Sequence, residues 1–224
     1  KHVFNKQGFD VTIVPNIIDL DRFAVQTQEW KLPKIENSPH IILTRNLESI
    51  YDNATAIRAF SIVKKNFPNA KLSIAGSGPE KTMLEQLVDS LKLVDSVTFL
   101  GRIDNAAIND LYHQADIMVN TSLIDNMPIS ILEALACKVP VVSTNVGGVP
   151  FLVKHDETAL LVPPKNPADI AEAIQLILTN PEKSRKMVEA GYEMVQHYSW
   201  KHVRTQLMEI YERTLIGSNL ITKS

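Results

Sequence analysis

Residues 117–142 read IMVNTSLIDNMPISILEALACKVPVV. The stretch opens on a continuously apolar run at 117–119, crosses a long turn at 120–127, resumes as an apolar helical pattern at 129–137 and returns to an apolar run at 139–142. A run that is apolar at every position has no wet face, so it suits a strand covered on both sides. The same unit recurs outward in both directions. Further apolar runs stand at 41–43, 72–75, 97–100 and 160–162, and helix-like segments lie between them at 54–66, 80–91 and 105–115. After 160–162 come helical patterns at 167–178, 181–197 and 200–216. Pro79 ahead of Glu80, Pro167 and Pro181 all stand where a first helical turn tolerates proline, and Asp104 and Ser199 are candidate N-caps. Alternating strand and helix predicts right-handed crossovers and a doubly wound α/β domain from about residue 12 to 195. Its parallel sheet has about six strands with flanking helices. The last two helices form a C-terminal pair that packs on the flank or reaches toward a partner domain. Residues 11–14 are a further strand or the end of a linker.

The 224 residues carry 23 Lys+Arg against 25 Asp+Glu, a net charge of −2, with 45% hydrophobic residues. That balance excludes a duplex-DNA binder, which needs a basic excess to neutralise phosphates, and no nucleic-acid partner is expected. One cysteine, Cys137, rules out a disulfide within the chain and suits a reducing compartment. No apolar run approaches the ~18 residues of a membrane span. The opening KHVFNKQGFD reads as the middle of a longer protein.

In open parallel sheets, ligands bind outside the carboxyl ends of the strands. The residues at those ends are Thr44-Arg45-Asn46, Gly76-Ser77-Gly78-Pro79, Gly101-Arg102-Ile103-Asp104, the turn at 120–127, and 143–149 with Gly147-Gly148. Glycines permit close backbone approach, and free helix-start amides and arginines attract anions. Together they describe a pocket for a phosphate-bearing ligand. Each piece has a plainer alternative. Gly76-Ser77-Gly78 equally reads as an ordinary strand-to-helix turn. It is no dinucleotide fingerprint, because Lys81 stands where a third glycine belongs. Arg45 could pair with Glu48 at the surface, Arg102 reads as a surface charge, and Cys137 as a small buried residue. The six histidines show no metal-ligand spacing.

The strongest local signal lies at 125–136. Pro128 marks a helix start. If it is the first helical residue, Met127 is the N-cap and cannot cap, leaving the amides of Ile129 and Ser130 to a ligand. If Asn126 is the cap, that argument weakens. Glu133 is the only charged side chain from Met127 to Cys137. An acid in an apolar helix is costly unless donors meet it, and a sugar or ribose diol offers two. The alternative is a narrow exposed stripe.

These residues resemble the E-x(7)-E motif of the family 4 retaining glycosyltransferases, which have the GT-B fold. Glu133 is the second acid, and Asp125, eight positions earlier, stands where the family usually has glutamate. Residues 14–19 resemble its PNGVD linker without the glycine. Residues 74–79 resemble its V-G-x-G-P turn, and residues 99–103 its F-x-G-x-V element. Residues 140–150 match PVV-x(4)-GG-x-P in order and spacing, while 160–164 and Tyr198-Ser199-Trp200 also fit. The shared order covers about 200 residues.

The resemblance implies the donor-binding half of such an enzyme, with residues 1–14 ending a linker, 15–198 forming a Rossmann-like nucleotide-sugar domain and 199–224 a terminal helix and tail. The expected donor is a UDP-sugar or GDP-sugar, with no cofactor and no metal. The expected partner is an acceptor-binding N-terminal domain of the same protein. The place is the cytoplasm, with room for peripheral contact at the inner membrane face. By the same resemblance Arg45 meets the diphosphate and Asp125 the transferred sugar, both catalytic. Glu133 holds the ribose and the Ile103 backbone the base. Asn126, Met127, Pro128 and Ile129 supply the phosphate-facing turn, and Gly76 and Gly78 allow close approach. Two departures stand out. The family's lysine about six residues after its arginine is replaced in that region by Tyr51, for which Lys154 or Arg102 could substitute. Asp125 is also shorter than glutamate by about 1.5 Å of reach. They motivate the alternative of a degenerate, non-catalytic scaffold module.

Overall fold

The computed structural model describes residues 6, 8, 11–23, 38–104 and 107–221, with side chains as far as 215. Six strands form one sheet: β1 (His40–Leu43), β2 (Lys71–Ala75), β3 (Val97–Gly101), β4 (Ile117–Asn120), β5 (Val141–Thr144) and β6 (Leu160–Val162). Their order is β3-β2-β1-β4-β5-β6 and every pairing is parallel. The helices are α1 (Asn53–Asn66), α2 (Lys81–Ser90), α3 (Ala107–Gln114), α4 (Ile129–Ala136), α5 (Val149–Leu152), α6 (Pro167–Thr179), α7 (Pro181–Val195) and α8 (Trp200–Ile221). This is the expected doubly wound, Rossmann-like sheet.

The central strands β1, β4 and β5 are buried nearly throughout because both faces of the sheet are covered there, whereas edge strand β3 is partly exposed. In β1 the side chains of Ile41 and Leu43 join one cluster with Ile57 and Phe60 of α1, Leu84 of α2 and Ile174 and Ile177 of α6. Ile42 points the other way, into a cluster with Tyr112 of α3, Ile131 and Leu135 of α4 and Val149 of α5. The caps follow local chemistry. Asn166 accepts from the amides of Ala168 and Asp169 ahead of Pro167, and Asp52, in a left-handed conformation, accepts from Thr55 at the start of α1. Ser199 spends its hydroxyl differently from a cap, on His202 Nδ1 at 2.8 Å.

Three features lie outside this alternating plan. Residues 11–17 form no strand; this segment meets the body at Asn16, which bonds Met127, and at Ile18, whose amide donates to Tyr198 O at 2.9 Å. The short helix α5 lies in the connection from β5 to β6, where the sequence pattern predicts no element. The terminal helix pair divides. Helix α7 buries Met187, Val188 and Val195, whereas α8 buries Val203 and exposes Trp200, Met208, Tyr211 and Leu215.

The strand order reverses between β1 and β4, which opens a crevice at their carboxyl ends. The loops at this rim interlock. A Cβ on Gly148 would lie 1.7 Å from Asn126 O, and the Gly148 amide donates to Asp125 O at 2.7 Å. Gly148 has φ −90, so an alanine there meets backbone oxygen without conformational strain. Gly148→Ala is expected to cost ~2–3 kcal/mol, an overpacking penalty the loop can relieve only by moving. In urea the unfolding midpoint falls at unchanged slope; an unchanged midpoint would show that the loop yields freely.

Candidate functional site

Arg45 leaves the end of β1 and crosses the crevice to Asp125 in the loop after β4. Its guanidinium pairs with the Asp125 carboxylate, and the two side chains are only 17% and 9% exposed. Its Cζ also lies 4.2 Å from the centroid of the Tyr51 ring. The pairing with Glu48 does not form; that carboxylate instead accepts from Asn46 Nδ2 at 3.4 Å. Arg45 Nε is buried and has no hydrogen-bond partner among the described residues. The guanidinium is thus held by a ring and a carboxylate, with one N–H unspent.

Both holders are anchored. Tyr51 closes a short turn whose carbonyls grip the opposite loop: Thr121 Oγ1 donates to Tyr51 O and Leu123 N to Ile50 O, each at 2.8 Å. Behind Asp125, Ser122 Oγ lies 2.8 Å from Asn120 Oδ1 and 3.4 Å from Asp125 Oδ2. Asn120 Nδ2 donates to Ser143 Oγ at 3.0 Å, and Thr144 Oγ1 to Ser122 O at 2.6 Å. The ring at position 51 attracts the guanidinium where a lysine would repel it.

The cap of helix α4 lies one residue beyond Met127 and two beyond Asn126, the two candidates read from the sequence. Pro128 itself is the N-cap residue, and it provides no side-chain cap. Ile131 N reaches back to Pro128 O at 3.1 Å. The amides of Ile129 and Ser130 therefore have no acceptor within the helix. The neighbouring Met127 receives two contacts from the segment at 11–23: Asn16 N on its sulfur and Asn16 Nδ2 on its carbonyl, both at 3.2 Å.

Glu133, one turn into α4, is neither in bulk water nor on an exposed stripe. Tyr112 donates to its Oε2 at 2.8 Å. Burial raises the Glu133 carboxyl above its ordinary range, opposed by the Tyr112 hydrogen bond and by the charges of Arg22 and Arg45. Part of the donor deficit inferred from the sequence is thus met by the protein's own phenol. Tyr112 was not legible as a site residue, because its position in an apolar helical pattern reads as core and its partner is 21 residues away. Cys137 is a buried thiol pushed up to about 12 by burial and then by Glu133, so it is a packing residue and no nucleophile at neutral pH.

The structure brings Arg45, Asp125, Asn126 and the start of α4 to one edge. It also turns the glycines toward the protein itself. A Cβ on Gly76 would lie 2.2 Å from Arg45 O, and one on Gly78 2.3 Å from Leu47 O. The close approach seen here is therefore to the loop that carries Arg45. Ile103 is half-buried against the cluster containing Tyr112 and Ile131. Arg102 is exposed, and Lys154 pairs with Glu157 at 3.2 Å.

Comparison with known proteins places this geometry. The sequence model described as glycosyl transferases group 1 matches residues 25–194. N-acetyl-alpha-D-glucosaminyl L-malate synthase of Bacillus anthracis is 30% identical over 215 residues, covering 94% of this chain and 55% of that protein. The chain spans about half the length of the curated relatives it matches over most of its own length. Among solved structures, the C-terminal domain of the Francisella tularensis glycosyl transferase LpcC superposes with TM-score 0.71 at 24% identity, covering 82% of this chain and 99% of that one. Anabaena HepE in complex with UDP-glucose superposes with TM-score 0.82 at 20% identity, covering 95% and 61%.

The raised Glu133 carboxyl fixes the sign of a stability effect. The native state holds this proton more tightly than the unfolded chain, so stability is lost as pH rises from about 4.5 to the higher native midpoint. At neutral pH the ionised acid is a net cost. Glu133→Gln is expected to raise the thermal midpoint at neutral pH, the gap closing as the solution is acidified. Scanning both proteins by calorimetry across this range checks it, and a less stable variant at neutral pH would contradict the sign.

Proposed function

The chain belongs to the glycosyl transferases group 1 family, and we propose that it is the donor-binding, C-terminal half of a family 4 retaining glycosyltransferase. In this reading the complete enzyme moves a hexosyl group from a UDP-sugar or GDP-sugar to a glycan or lipid-linked acceptor. The observation that carries it is Arg45, with an unspent buried N–H, at the same edge as the uncapped start of α4.

The roles follow from the charge that develops. As the glycosidic bond to the donor breaks, negative charge builds on the leaving diphosphate. Arg45 and the amides of Ile129 and Ser130 meet that charge, in this proposal without a metal ion or cofactor. One well-placed donor of this kind is typically worth ~3–4 kcal/mol of barrier. Asp125 addresses the hydroxyls of the transferred sugar, with Asn126, Met127 and Pro128 shaping the turn. Glu133 accepts from the ribose, and the Ile103 backbone meets the base. Gly76 and Gly78 set the height of the Arg45 loop. Donor binding then exchanges part of the Arg45–Asp125 contact for phosphate and sugar.

The UDP-glucose bound to Anabaena HepE supports the ligand class. The near-complete coverage of the free-standing LpcC domain supports the reading as a C-terminal half, with residues 15–198 as its body. The acceptor-binding domain, a cytoplasmic site of action and peripheral membrane contact belong to this proposal. Among the described residues no helix is long and apolar enough to cross a membrane.

Calorimetric titration with UDP and with GDP tests the reading. One of the two should bind, and Arg45→Ala should weaken it about 10–100-fold, the value of a charge-assisted hydrogen bond. Little transfer is expected from this half alone. Absence of heat with both nucleotides at millimolar concentration refutes the proposal.

A further inference from the structure

We propose that Tyr112 is a positioning residue for Glu133, its hydroxyl fixing the carboxylate beside the carboxyl end of β1. The inference rests on the reading of Glu133 as the ribose-binding acid and adds a residue to that site. Three elements distant in sequence meet at one oxygen. Tyr112 Oη, on α3, lies 2.8 Å from Glu133 Oε2 on α4, 2.9 Å from Thr44 Oγ1 just past β1, and 3.3 Å from Ser130 O.

Proton counting sets the direction of this chain. A phenol has one proton to give. The shorter contact assigns it to Glu133, so Thr44 donates to the phenol oxygen. Each donor in such a relay strengthens the next. The phenol cannot swing away, since Tyr112 is fully buried and its ring stands edge-on to Phe23 with centroids 6.1 Å apart. Burial, then the neighbouring Glu133 charge, push its own ionisation well above the ordinary value, so it stays a donor at working pH. The other charged or titratable groups acting on this corner are Arg22 from the segment at 11–23, Arg45 from the β1 loop and Cys137 at the end of α4. Neither arginine replaces a donor at hydrogen-bond distance on Oε2.

Tyr112→Phe keeps the ring and removes the relay; Thr44→Val removes only its first member. Two readouts apply. One is titration of the Glu133 side-chain carboxyl by carbon NMR in the ligand-free chain. The other is calorimetric affinity for UDP and GDP against pH. In Tyr112→Phe the carboxyl should titrate at higher pH than in the parent. Affinity should fall about tenfold at neutral pH, and the acid-side loss of binding should begin at higher pH. Thr44→Val should move both in the same direction by less. A folded Tyr112→Phe with an unchanged carboxyl titration overturns the proposal. If that variant does not fold, an unchanged titration in Thr44→Val overturns it. A parent that binds neither nucleotide refutes the donor-site reading instead, while the ligand-free titration still decides whether Tyr112 positions Glu133.

Discussion

Between β1 and β4 the strand order reverses, and a buried ion pair ties the two loops there across the gap. The tie is the Arg45 guanidinium, clasped by the Asp125 carboxylate on one side and the Tyr51 ring on the other. Both partners are largely shielded from water, so the pair is strong only as a pair. Removing one member strands the other in a medium that solvates it poorly. The rest of the rim is built around keeping this clasp in register. The Ser49–Tyr51 turn is pinned to the loop after β4. The serine, threonine and asparagine side chains behind Asp125 bond one another and leave its loop little freedom. Gly76 and Gly78 bring the β2 loop against the backbone of residues 45–47. An otherwise ordinary α/β sheet thus concentrates its polar bonding at one edge.

That edge is also where the fold and the function class diverge in what they demand of the sequence. Strands of a sheet covered on both faces ask only for apolar runs of sufficient length, and the helices for apolar residues at the right spacing. Those requirements are local, so the strands, the helix order and the doubly wound topology were legible from residues alone. As candidates, Glu133 stood out as a charge in an apolar helix, Arg45 by its place at a strand end, and Asp125 through the motif it resembles. Their mutual geometry was not. The ion pair joins residues 80 positions apart, and no spacing rule separates that partner from Glu48, three residues away. Tyr51 drew notice as a missing lysine, yet its ring function depends on a turn whose anchoring is tertiary. Tyr112 is the clearest case of what is hidden: a large residue in a helix stripe looks like core, and it is core, with a single polar atom that decides its importance.

The start of α4 shows a related limit. Whether Met127 or Asn126 caps the helix was posed as a question about side chains. The chain instead places Pro128 at the cap, where the residue contributes neither side-chain acceptor nor amide donor. The two free amides survive this change, but they belong to Ile129 and Ser130 with no N–H ahead of them. In the proposed function this uncapped end meets the phosphates of the donor, which would satisfy the two amides that the helix leaves unpaired.

The clasp around Arg45 has a consequence for what the crevice will admit. A small anion that draws the guanidinium to itself sets its own negative charge beside Asp125 and separates that acid from its counter-ion. In the proposed donor site, inorganic phosphate would therefore be a poor guest. A molecule carrying anionic oxygens and hydroxyls on one framework satisfies the arginine and the aspartate in a single arrival. On the proposed reading, self-neutralisation of the rim by its own ion pair would act as a filter, trading some affinity for every anion against discrimination in favour of composite ones.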